Sequence, residues 1–550
     1  MNILAVIPAR GGSKGIPRKN VRLMNGIPLI SYSINNAKSC DLITDVVVTT
    51  DDEEIIGIAK LNHVQYIERD STLAEDKITL DPVIYDAVYK IEKKKNIYYD
   101  IVITLQPTSP LLKSKTLVTA IESFLSDDKD TYISVVNNPH LSWSKNENEF
   151  TPNYKERLNR QQLPPHYLET GAFFITKREF IKPNSRMGKN VSVFEVSEDE
   201  AIDIDNYRDW ILCENILKRK RIVFRVDGHK KLGMGHIYHC LTLAYHLTGH
   251  EIMFVTKQQY TEGVNKIKES HMPYMLIKND QEFFQFLRKW KADIIVNDCL
   301  DTDEGYIKIL KKLVKRVITI EDMGSGARYA DAIINALYEK DLKNLKYYCQ
   351  QGNLYSGENY ICLRDEFLIN EPKEFSKEVK KVLVMFGGTD PSNLTKKLYH
   401  VSLELHNNYP EIEFYFITGS GYDCDRNNIY TRKDKNIFIL NNVKRVSDYM
   451  READLAFTSQ GRTVYELASL GVPSIVLAQN EREQLHTFAQ MKNGFLNLGL
   501  GEKISNETIK STFKWLVETE QIRYEMRDLM LKHNLKKGIN RVIDIILKED

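Results

Sequence analysis

The chain has 550 residues, of which 42% are hydrophobic and 27% are charged, and its formal net charge is +1. That length is too great for one domain and predicts two to four. The balanced charge excludes a bulk electrostatic attraction to nucleic acid or to an anionic membrane, and no stretch approaches the ~18 apolar residues of a membrane span.

The cysteines and the first residues indicate the compartment. Seven cysteines lie far apart, without a C-x-x-C pair, which fits reduced thiols better than a disulfide framework. The apolar run at the start is short, and basic residues follow it instead of preceding it, so it does not read as a signal peptide. We therefore expect a cytoplasmic protein without membrane insertion.

The first part of the chain alternates short apolar runs with amphipathic segments. Helices are predicted at Leu29–Ala37 and Thr79–Lys93. Strands are predicted at Ile3–Pro8, Asp45–Thr50, Ile101–Leu105, Tyr132–Val136, Ala172–Thr176 and Ser192–Glu195. This alternation predicts an α/β fold with a mostly parallel sheet and helices on both faces.

Two further series of strands begin later in the chain. The second series comprises Ile222–Val226, Ile252–Thr256, Asp293–Asn297, Val317–Ile320 and Asp331–Asn335. The third begins at Val379–Phe386, after a polar segment at Asn370–Glu378. We therefore predict three α/β units at residues 1–218, 221–370 and 379–550.

The first predicted strand runs into a glycine-rich, basic loop at Ala9–Asn20. Its glycines allow the backbone to approach a ligand closely, and backbone N–H groups in such a loop bind phosphate oxygens. Four cations suit a triphosphate and the charge that develops on it: Arg10, Lys14, Arg18 and Lys19. The loop matches neither the Walker pattern nor the G-x-G-x-x-G fingerprint. The alternative is an ordinary basic surface loop.

This loop resembles the opening motif of the acylneuraminate cytidylyltransferases, the CMP-sialic acid synthetase family. Further matching residues follow in the family's order over about 1–215: Thr50-Asp51-Asp52, Arg69, Leu73, Ala74, Asp76, Gln106 to Pro110, Arg160-Gln161, Tyr167, Gly171-Ala172 and Ala201 to Asp205. As an ordered set these motifs are specific.

The resemblance implies transfer of CMP from CTP to the anomeric hydroxyl of a nine-carbon α-keto sugar acid, with release of pyrophosphate. It implies catalytic roles for Lys19 and Asp205 and a Mg²⁺ site at Asp203 and Asp205. The implied CTP-binding residues are Arg10, Gly12, Ser13, Lys14, Lys19, Asn20 and Arg69. The implied sugar-binding residues are Gln106, Arg160, Tyr167 and Thr170.

The residues themselves support the metal site. Residues two apart in a strand face the same side, so Asp203 and Asp205 would present two carboxylates to one point. Oxygen ligands beside a triphosphate suit Mg²⁺, although a solvated strand end would look the same. One departure concerns the sugar, because the family commonly has Asn-Gly-Ala where this chain has Thr170-Gly171-Ala172. The segment that begins at Gln106 resembles the sialic and legionaminic branch more than the pseudaminic branch.

The second series of strands brings a histidine to a helix start. Strand Ile222–Val226 leads through a glycine-rich turn to Gly235 and His236. At a helix N-terminus the helix dipole would lower the pKa of His236 and keep it neutral, ready to accept a proton. The alternative is a histidine that merely begins a helix.

The third series carries two glycine loops. Strand Val379–Phe386 leads to Gly387, Gly388 and Thr389, where Thr389 or Asp390 can cap a helix whose first turn contains Pro391. The open N–H groups would bind a diphosphate. A second loop follows a strand at Asp454–Thr458, and the residues that complete this predicted nucleotide-sugar site are Gly461, Arg462, Thr463 and Glu466.

Residues 221–490 resemble the UDP-sugar hydrolase of pseudaminic acid biosynthesis and its spore-coat relatives, which share a two-lobed, GT-B-like pair of Rossmann-like domains with the murein glycosyltransferase. The resemblance makes His236 catalytic, a UDP-amino sugar the substrate, and a cofactor unnecessary. It also rests on Arg225, Asp227, Glu321-Asp322, Asn335 and Arg364. Two departures are His239, where the family usually has Arg, and the element Asp298 to Asp301. The spacing of His236 and His239 could suggest zinc, but no third ligand is in evidence.

We therefore predict a bifunctional enzyme of nonulosonic acid biosynthesis that acts on CTP, a nonulosonic acid and a UDP-amino sugar. Alternatively, the second half is a glycosyltransferase, or a non-catalytic module that binds a nucleotide sugar or fixes the oligomer. The resemblance also implies a homodimer through the first domain, with the polar, irregular segment Asn146–Pro165 as the candidate contact.

Overall fold

The computed structural model describes residues 1–13, 15–75, 77–146, 149–229, 233–338, 353–419 and 421–549. The chain forms two compact units, Met1–Arg219 and Lys220–Asp550. Within the described residues, the longest helix has 16 residues, and none is both long and apolar enough to cross a bilayer.

The first unit contains eleven strands and five helices among its described residues. The strands are β1 Ile3–Pro8, β2 Leu23–Met24, β3 Ile27–Pro28, β4 Asp45–Thr50, β5 Gln65–Glu68, β6 Ile101–Leu105, β7 Thr131–Asn137, β8 Trp143–Asn146, β9 Glu149–Pro152, β10 Tyr167–Lys177 and β11 Val191–Glu195. The helices are α1 Leu29–Lys38, α2 Glu53–Leu61, α3 Leu80–Lys95, α4 Ser114–Ser126 and α5 Tyr207–Leu217.

Seven of these strands form one sheet in the order β11-β7-β10-β6-β1-β4-β5. Only β10 runs antiparallel to its neighbours. Every residue of β1 is buried, and its alternate residues enter separate apolar clusters, such as Ile7 on one face and Val6 on the other, as the period of two requires. Because β1 lies between β4 and β6, the strand order of the sheet reverses beside it, and α/β sheets bind ligands at such a point.

The sequence predicts that the segment Asn146–Pro165 is irregular, but part of it is a strand. It includes β9, which pairs antiparallel with β8 to form a separate hairpin. Two large apolar side chains lie on this hairpin, Trp143 at 54% and Phe150 at 64% exposure. The polar residues between them conceal the alternation that marks a hairpin.

The second unit begins with a parallel seven-stranded sheet in the order β14-β13-β12-β15-β16-β17-β18. Its strands are β12 Arg221–Val226, β13 Glu251–Lys257, β14 Tyr274–Ile277, β15 Ile294–Asp298, β16 Arg316–Ile320, β17 Ala332–Asn335 and β18 Leu354–Ser356. The helices of this first lobe are α6 Gly235–His246, α7 Thr261–Glu269, α8 Asp280–Trp290 and α9 Glu304–Leu313, and α10 Asp365–Ile369 follows.

The second lobe is a parallel six-stranded sheet in the order β21-β20-β19-β22-β23-β24. Its strands are β19 Lys381–Met385, β20 Glu413–Thr418, β21 Ile437–Asn441, β22 Leu455–Thr458, β23 Ser474–Ala478 and β24 Phe495–Leu500. The remaining helices are α11 Leu394–Leu405, α12 Val446–Glu452, α13 Thr463–Leu470, α14 Asn506–Glu518, α15 Glu520–Leu531 and α16 Gly538–Leu547. Both lobes therefore have the strand order of the Rossmann fold, which confirms the predicted fold class.

The last helix returns to the first lobe, whereas the sequence assigns residues 379–550 to the second. Its residues Ile539, Val542 and Ile546 are buried in one cluster with Phe224 of β12 and Ile318 of β16. An amphipathic helix packs its apolar face against whichever apolar surface is available to cover it. That surface need not belong to the lobe that precedes the helix in the chain.

Candidate active sites

In the first unit, the loop after β1 lies in close contact with carboxylate-bearing segments. The Gly11 N–H donates to Asp51 Oδ1 at 3.2 Å. A Cβ atom on Gly11 would lie 2.3 Å from Asp52 Oδ2, and one on Gly15 would lie 2.4 Å from the Asp205 carbonyl oxygen. Only glycine permits this approach at either position. Lys14, which the sequence assigns to CTP binding, lies outside the described residues.

Lys19 lies against the segment that carries Asp203 and Asp205. Its Nζ atom donates to the Ile204 carbonyl oxygen at 2.5 Å. Burial lowers the pKa of Lys19, and the charges of Asp205 and Asp203 oppose that effect. One cation and two carboxylates therefore meet beside the glycine loop.

The sequence predicts that Asp203 and Asp205 lie on a strand, but the structure places them outside any strand. Residues 202–205 belong to no strand, and Ile204 is buried with Ile16 and Trp210 in a small apolar cluster. The period-two pattern here arises from packing on that cluster. Both carboxylates nevertheless lie close enough to interact. Burial raises the pKa of Asp203, the Thr108 hydroxyl opposes that effect, and the charge of Asp205 adds to it. The Oδ1 atom of Asp203 is buried without a hydrogen-bond partner.

Gly171 brings Gln106 to the same place. Its φ is +71°, and a Cβ atom there would lie 3.0 Å from Gln106 Nε2 and 3.7 Å from Asp203 Oδ2. The amide of Gln106, which follows β6, and the carboxylate of Asp203 therefore converge on this glycine. These groups lie beside the end of β1, at the point where the strand order of the sheet reverses.

The remaining residues that the sequence assigns to CTP occupy varied positions. Asn20 is buried, and its amide donates to the Arg10 carbonyl oxygen at 2.9 Å. Arg69 is buried and donates to the Thr49 carbonyl oxygen at 2.8 Å, and burial lowers its pKa. Gly12 is exposed with open space around it, and Ser13 is half-buried.

Three residues assigned to the sugar lie away from this cluster or point into the protein. The Thr170 hydroxyl is buried and hydrogen bonds with Ser134 Oγ at 2.8 Å. Arg160 is exposed, 3.5 Å from Glu198, and Tyr167 is 48% exposed. In the described part of the chain, neither Arg160 nor Tyr167 contacts Lys19, Asp203 or Asp205. Their roles in sugar binding stay predictions.

The second unit contains a cavity of about 460 Å³ between its two lobes. The first lobe contributes the loop before α6, and the second contributes the loops that follow β19 and β22. The lining includes these predicted residues: Gly235, His236, Gly387, Gly388, Thr389, Gly461, Arg462, Thr463 and Glu466. Thus the structure brings the predicted nucleotide-sugar residues of both lobes to one cavity.

His236 lies in the first turn of α6 and pairs with a buried aspartate. Its Nδ1 atom is 2.7 Å from Asp298 Oδ1, and the Asp298 side chain is fully buried. The predicted lowering of the His236 pKa is wrong. Burial acts to lower it, but the Asp298 carboxylate reverses the direction, and the pKa of His236 is raised. The nearby helix N-terminus is outweighed by a full charge at hydrogen-bond distance.

Asp298 also contacts the two other polar side chains on this face of α6. His239 Nδ1 lies 3.4 Å from Asp298 Oδ2, and the Cys240 thiol lies 3.4 Å from the same oxygen. Burial, followed by the charge of Arg462, lowers the pKa of His239. Sequence reasoning noted Asp298 only as a departure from the family. The available signal was a polar residue at the carboxyl end of a strand in the middle of the sheet.

Two ion pairs join side chains around the cavity. Arg462 Nη2 lies 2.6 Å from Glu321 Oε1, and Arg364 donates to Glu466 Oε1 from Nε at 3.0 Å and from Nη2 at 2.9 Å. Glu466, one of the predicted nucleotide-sugar-binding residues, is thus held by a guanidinium in this structure.

The first glycine loop of the second lobe differs from its prediction. Helix α11 begins at Leu394, so Pro391 precedes the helix instead of lying in its first turn. The Asp390 carboxylate accepts the N–H groups of Leu394 at 3.0 Å and Thr395 at 2.7 Å. Those N–H groups are therefore not open to a diphosphate. Helix α13, which Arg462 precedes, has no side-chain cap, so its start is the available anion-binding end.

Comparison with known proteins gives two family matches. Residues 4–222 match the family described as "Cytidylyltransferase". Residues 382–542 match the family described as "Glycosyltransferase family 28 C-terminal domain".

Three relatives illustrate the coverage. The "Pseudaminic acid cytidylyltransferase" of Campylobacter jejuni is 34% identical over 226 residues, which are 40% of this chain and 97% of that protein. The "Uncharacterized protein MJ1062" of Methanocaldococcus jannaschii is 32% identical over 277 residues, which are 48% of this chain, and the chain spans only 57% of that protein.

A Helicobacter pylori protein matches along its whole length. It is named "Pseudaminic acid cytidylyltransferase and UDP-2,4-diacetamido-2,4,6-trideoxy-beta-L-altropyranose hydrolase", and it is 23% identical over 570 residues, with 99% of this chain and 100% of that protein covered. The chain therefore belongs to the cytidylyltransferase family through its first unit, and its second unit carries a domain of the glycosyltransferase family 28 type.

Proposed function

We propose that the first unit transfers CMP from CTP to the anomeric hydroxyl of a nine-carbon α-keto sugar acid and releases pyrophosphate. The observation that carries this proposal is the convergence of Lys19, Asp203 and Asp205 on the glycine loop after β1. The hydroxyl oxygen of the sugar bonds to the α-phosphorus and gives up its proton to water, and the bond to the pyrophosphate oxygen breaks with its electron pair on pyrophosphate. Lys19 lies where it would offset the charge that builds up on the phosphate oxygens.

We further propose that Asp203 and Asp205 hold Mg²⁺. The unpartnered, buried Oδ1 atom of Asp203 fits a cation ligand. No group of three or more His, Cys, Asp or Glu side chains suited to a metal lies among the described residues, so phosphate oxygens and water would complete the ligand set, as is usual for Mg²⁺. The ion would supply charge neutralisation at the triphosphate.

The test follows pyrophosphate release from CTP in the presence of sialic, legionaminic or pseudaminic acid, with and without Mg²⁺. Asp203→Asn should lower the rate at least 100-fold, because the substitution removes one charged ligand. Asp199→Asn is the matched control, because Asp199 lies in the preceding turn and pairs with Arg219. Full activity of Asp203→Asn would refute the metal site, and inactivity with all three acids would refute this substrate class.

For the second unit, we propose hydrolysis of a UDP-amino sugar with His236 as the base. Asp298 accepts the Nδ1–H of His236, which leaves Nε2 as the acceptor. Nε2 takes a proton from water, the water oxygen bonds to the anomeric carbon, and UDP leaves with the electron pair of the broken bond. The single observation behind this proposal is the pairing of a cavity-lining histidine with a buried carboxylate.

A glycosyltransferase is the second candidate, favoured by the family match at residues 382–542. In that reaction an acceptor hydroxyl replaces water, and His236, paired with Asp298, takes the proton from that hydroxyl instead. The two are separated by measuring UDP release from UDP-2,4-diacetamido-trideoxyhexoses and UDP-N-acetylglucosamine without an acceptor.

The variant His236→Ala tests the base, and His246→Ala is its matched control. His246 lies on the same helix and also pairs with an aspartate, Asp365, at 2.6 Å, but it is outside the cavity lining. If UDP is released without an acceptor, and His236→Ala abolishes this release while His246→Ala does not, the result supports the hydrolase. Binding without release supports the transferase, and absence of binding supports a non-catalytic module.

We also propose that the protein works in the cytoplasm as a homodimer. The cysteines of the described part of the chain are free thiols, which suits a reducing compartment. The exposed apolar side chains of the β8–β9 hairpin offer a surface for a second copy. Light scattering of the purified chain measures the oligomeric state.

A further inference from the structure

One ion pair crosses the cavity of the second unit. Glu321 follows β16 in the first lobe, and Arg462 precedes α13 in the second lobe. Arg462 Nη2 and Glu321 Oε1 are 2.6 Å apart, and their side chains are 20% and 5% exposed. The Glu321 backbone has φ +52° and donates its N–H to Ile334 at 3.0 Å, so the carboxylate projects from a fixed backbone.

This pair lies beside the His236–Asp298 dyad. Glu321, Arg462 and His236 all line the same cavity. The Asp298 and Glu321 carboxylates each favour the charged imidazole of His236, and Arg462 disfavours it.

Burial keeps three other ionisable side chains near the dyad in their neutral forms. Burial lowers the pKa of His239 on the same helix. Burial also raises the pKa of the Cys240 thiol on that helix and of the Cys362 thiol that lines the cavity. The leading charges that act on His236 are therefore those of Asp298, Glu321 and Arg462. Three further charged side chains of the cavity lining form ion pairs of their own: Arg364, Glu466 and Arg482.

We infer that Arg462 is a positioning residue for the His236 base, because its pairing with Glu321 across the cavity completes the charge arrangement around the imidazole only when the two lobes are closed. This inference rests on the proposed hydrolysis or transfer at His236.

The two states of the cleft differ in one interaction. In the closed state Arg462 neutralises Glu321, so Asp298 is the single uncompensated carboxylate near the imidazole. When the lobes separate, Arg462 leaves with the second lobe and Glu321 remains with the first. The imidazole then faces two carboxylates and holds its proton more tightly. His236 is therefore an effective base only in the closed cleft, which contains the substrate.

The test is a charge cycle on the full chain: Arg462→Met, Glu321→Gln and the double variant. The first readout is the NMR titration of His236 in protein with ¹³C-labelled histidine, with the resonance assigned by His236→Gln. We expect Arg462→Met to raise the pKa of His236, Glu321→Gln to lower it, and the double variant to return it toward the wild-type value. Arg462→Lys keeps the charge and should remain close to wild type.

Another ion pair between the two lobes supplies the matched control. Arg482 Nη1 lies 2.8 Å from Asp301 Oδ2, and Asp301, which does not line the cavity, is not among the leading charges that act on His236. Asp301→Asn should therefore leave the His236 titration unchanged. An equal shift in this variant, or no shift in Arg462→Met, would overturn the inference.

The second readout is UDP release. At neutral pH, Arg462→Met should lower kcat about tenfold, because the loss of a nearby charge shifts a pKa by about one unit or more. The rate should recover at alkaline pH, and KM should change less than kcat. A loss that is equal at every pH, or that is confined to KM, would instead make Arg462 a phosphate contact and refute the inference. If the wild-type chain releases no UDP, the proposed hydrolysis fails, while the NMR cycle still decides the role of Arg462.

Discussion

Asp298 Oδ1 lies 2.7 Å from His236 Nδ1, at the point between β12 and β15 where the strand order of the seven-stranded sheet reverses. Asp298 ends β15 and His236 lies in the first turn of the helix that follows β12. Because β12 and β15 are paired neighbours, the position of the carboxylate relative to the imidazole is fixed by the backbone of the sheet.

Replacing Asp298 with Asn should lower kcat for UDP release by about 10²- to 10⁴-fold, the usual contribution of an oriented general base. In the wild type the rate should fall as the pH drops through the raised pKa of His236. In Asp298→Asn that limb should move to lower pH, because the charge that stabilises the imidazolium is gone. Asp365→Asn, the partner of His246, should leave the profile unchanged. A wild-type rate in Asp298→Asn would argue against the dyad.

Lys19→Met should reduce cytidylyl transfer about 100-fold or more, since the cation beside Asp203 and Asp205 offsets phosphate charge. Arg18→Met changes the neighbouring cation, which is exposed and pairs with Glu54 at 2.6 Å, and should have a much smaller effect. Steady-state pyrophosphate release measures both variants. Equal losses would indicate that the loop acts only through its total charge.

Gly171→Ala should raise the KM for the sugar acid, because the new methyl group would displace the Gln106 amide from the site. It should also destabilise the unit by about 1 kcal/mol through its positive φ. Gly26→Ala separates the two effects, since Gly26 also has a positive φ but open space around it. A KM increase of the same size in Gly26→Ala would contradict the displacement of Gln106.

Glu483→Gln should stabilise the second unit at alkaline pH. Burial raises the pKa of Glu483 to about 7, above its ordinary value, so the folded state holds a proton that the unfolded state has lost. Wild-type stability should therefore fall as the pH rises from about 4.5 to about 7 and then level off. The Tm of the variant should therefore rise relative to that of the wild type as the pH increases through that range. A constant difference from pH 4 to pH 8 would exclude this carboxyl as the source.

Phe150→Ser should weaken self-association, because Phe150 is among the most exposed apolar side chains of the β8–β9 hairpin. Light scattering over a range of concentrations should show the dimer dissociating at higher concentration than the wild type. Leu61→Ser, at a similarly exposed apolar side chain on α2, is the control. Equal dissociation in both variants would contradict the hairpin as the contact.

The sheets were predictable because their strands are continuous apolar runs. The predicted bounds of β1, β4 and β6 coincide with those observed, since strands buried on both faces leave no ambiguity of period. The glycine loops could be located for the same reason, because each follows such a strand.

The partners of the site residues were not predictable in the same way. His236 and Asp298 are 62 residues apart, and only the pairing of their strands joins them. Arg462 reaches Glu321 from the other lobe across 141 residues. It supplies a guanidinium near His239, where the sequence lacks the arginine of the resembling family. The segment around Ile204 has the residue pattern of a strand without being one, because packing on a small apolar cluster imposes the same alternation as a sheet.

Helix α16 has a practical consequence for handling the second unit. Because its apolar face is buried in the first lobe, the polypeptide passes between the lobes twice, once in each direction. A protease nick within residues 371–378 would therefore leave two fragments that still hold each other. An expression fragment that stops before Gly538 would lack Ile539, Val542 and Ile546, and would expose the apolar surface of the first lobe against which they pack and invite aggregation.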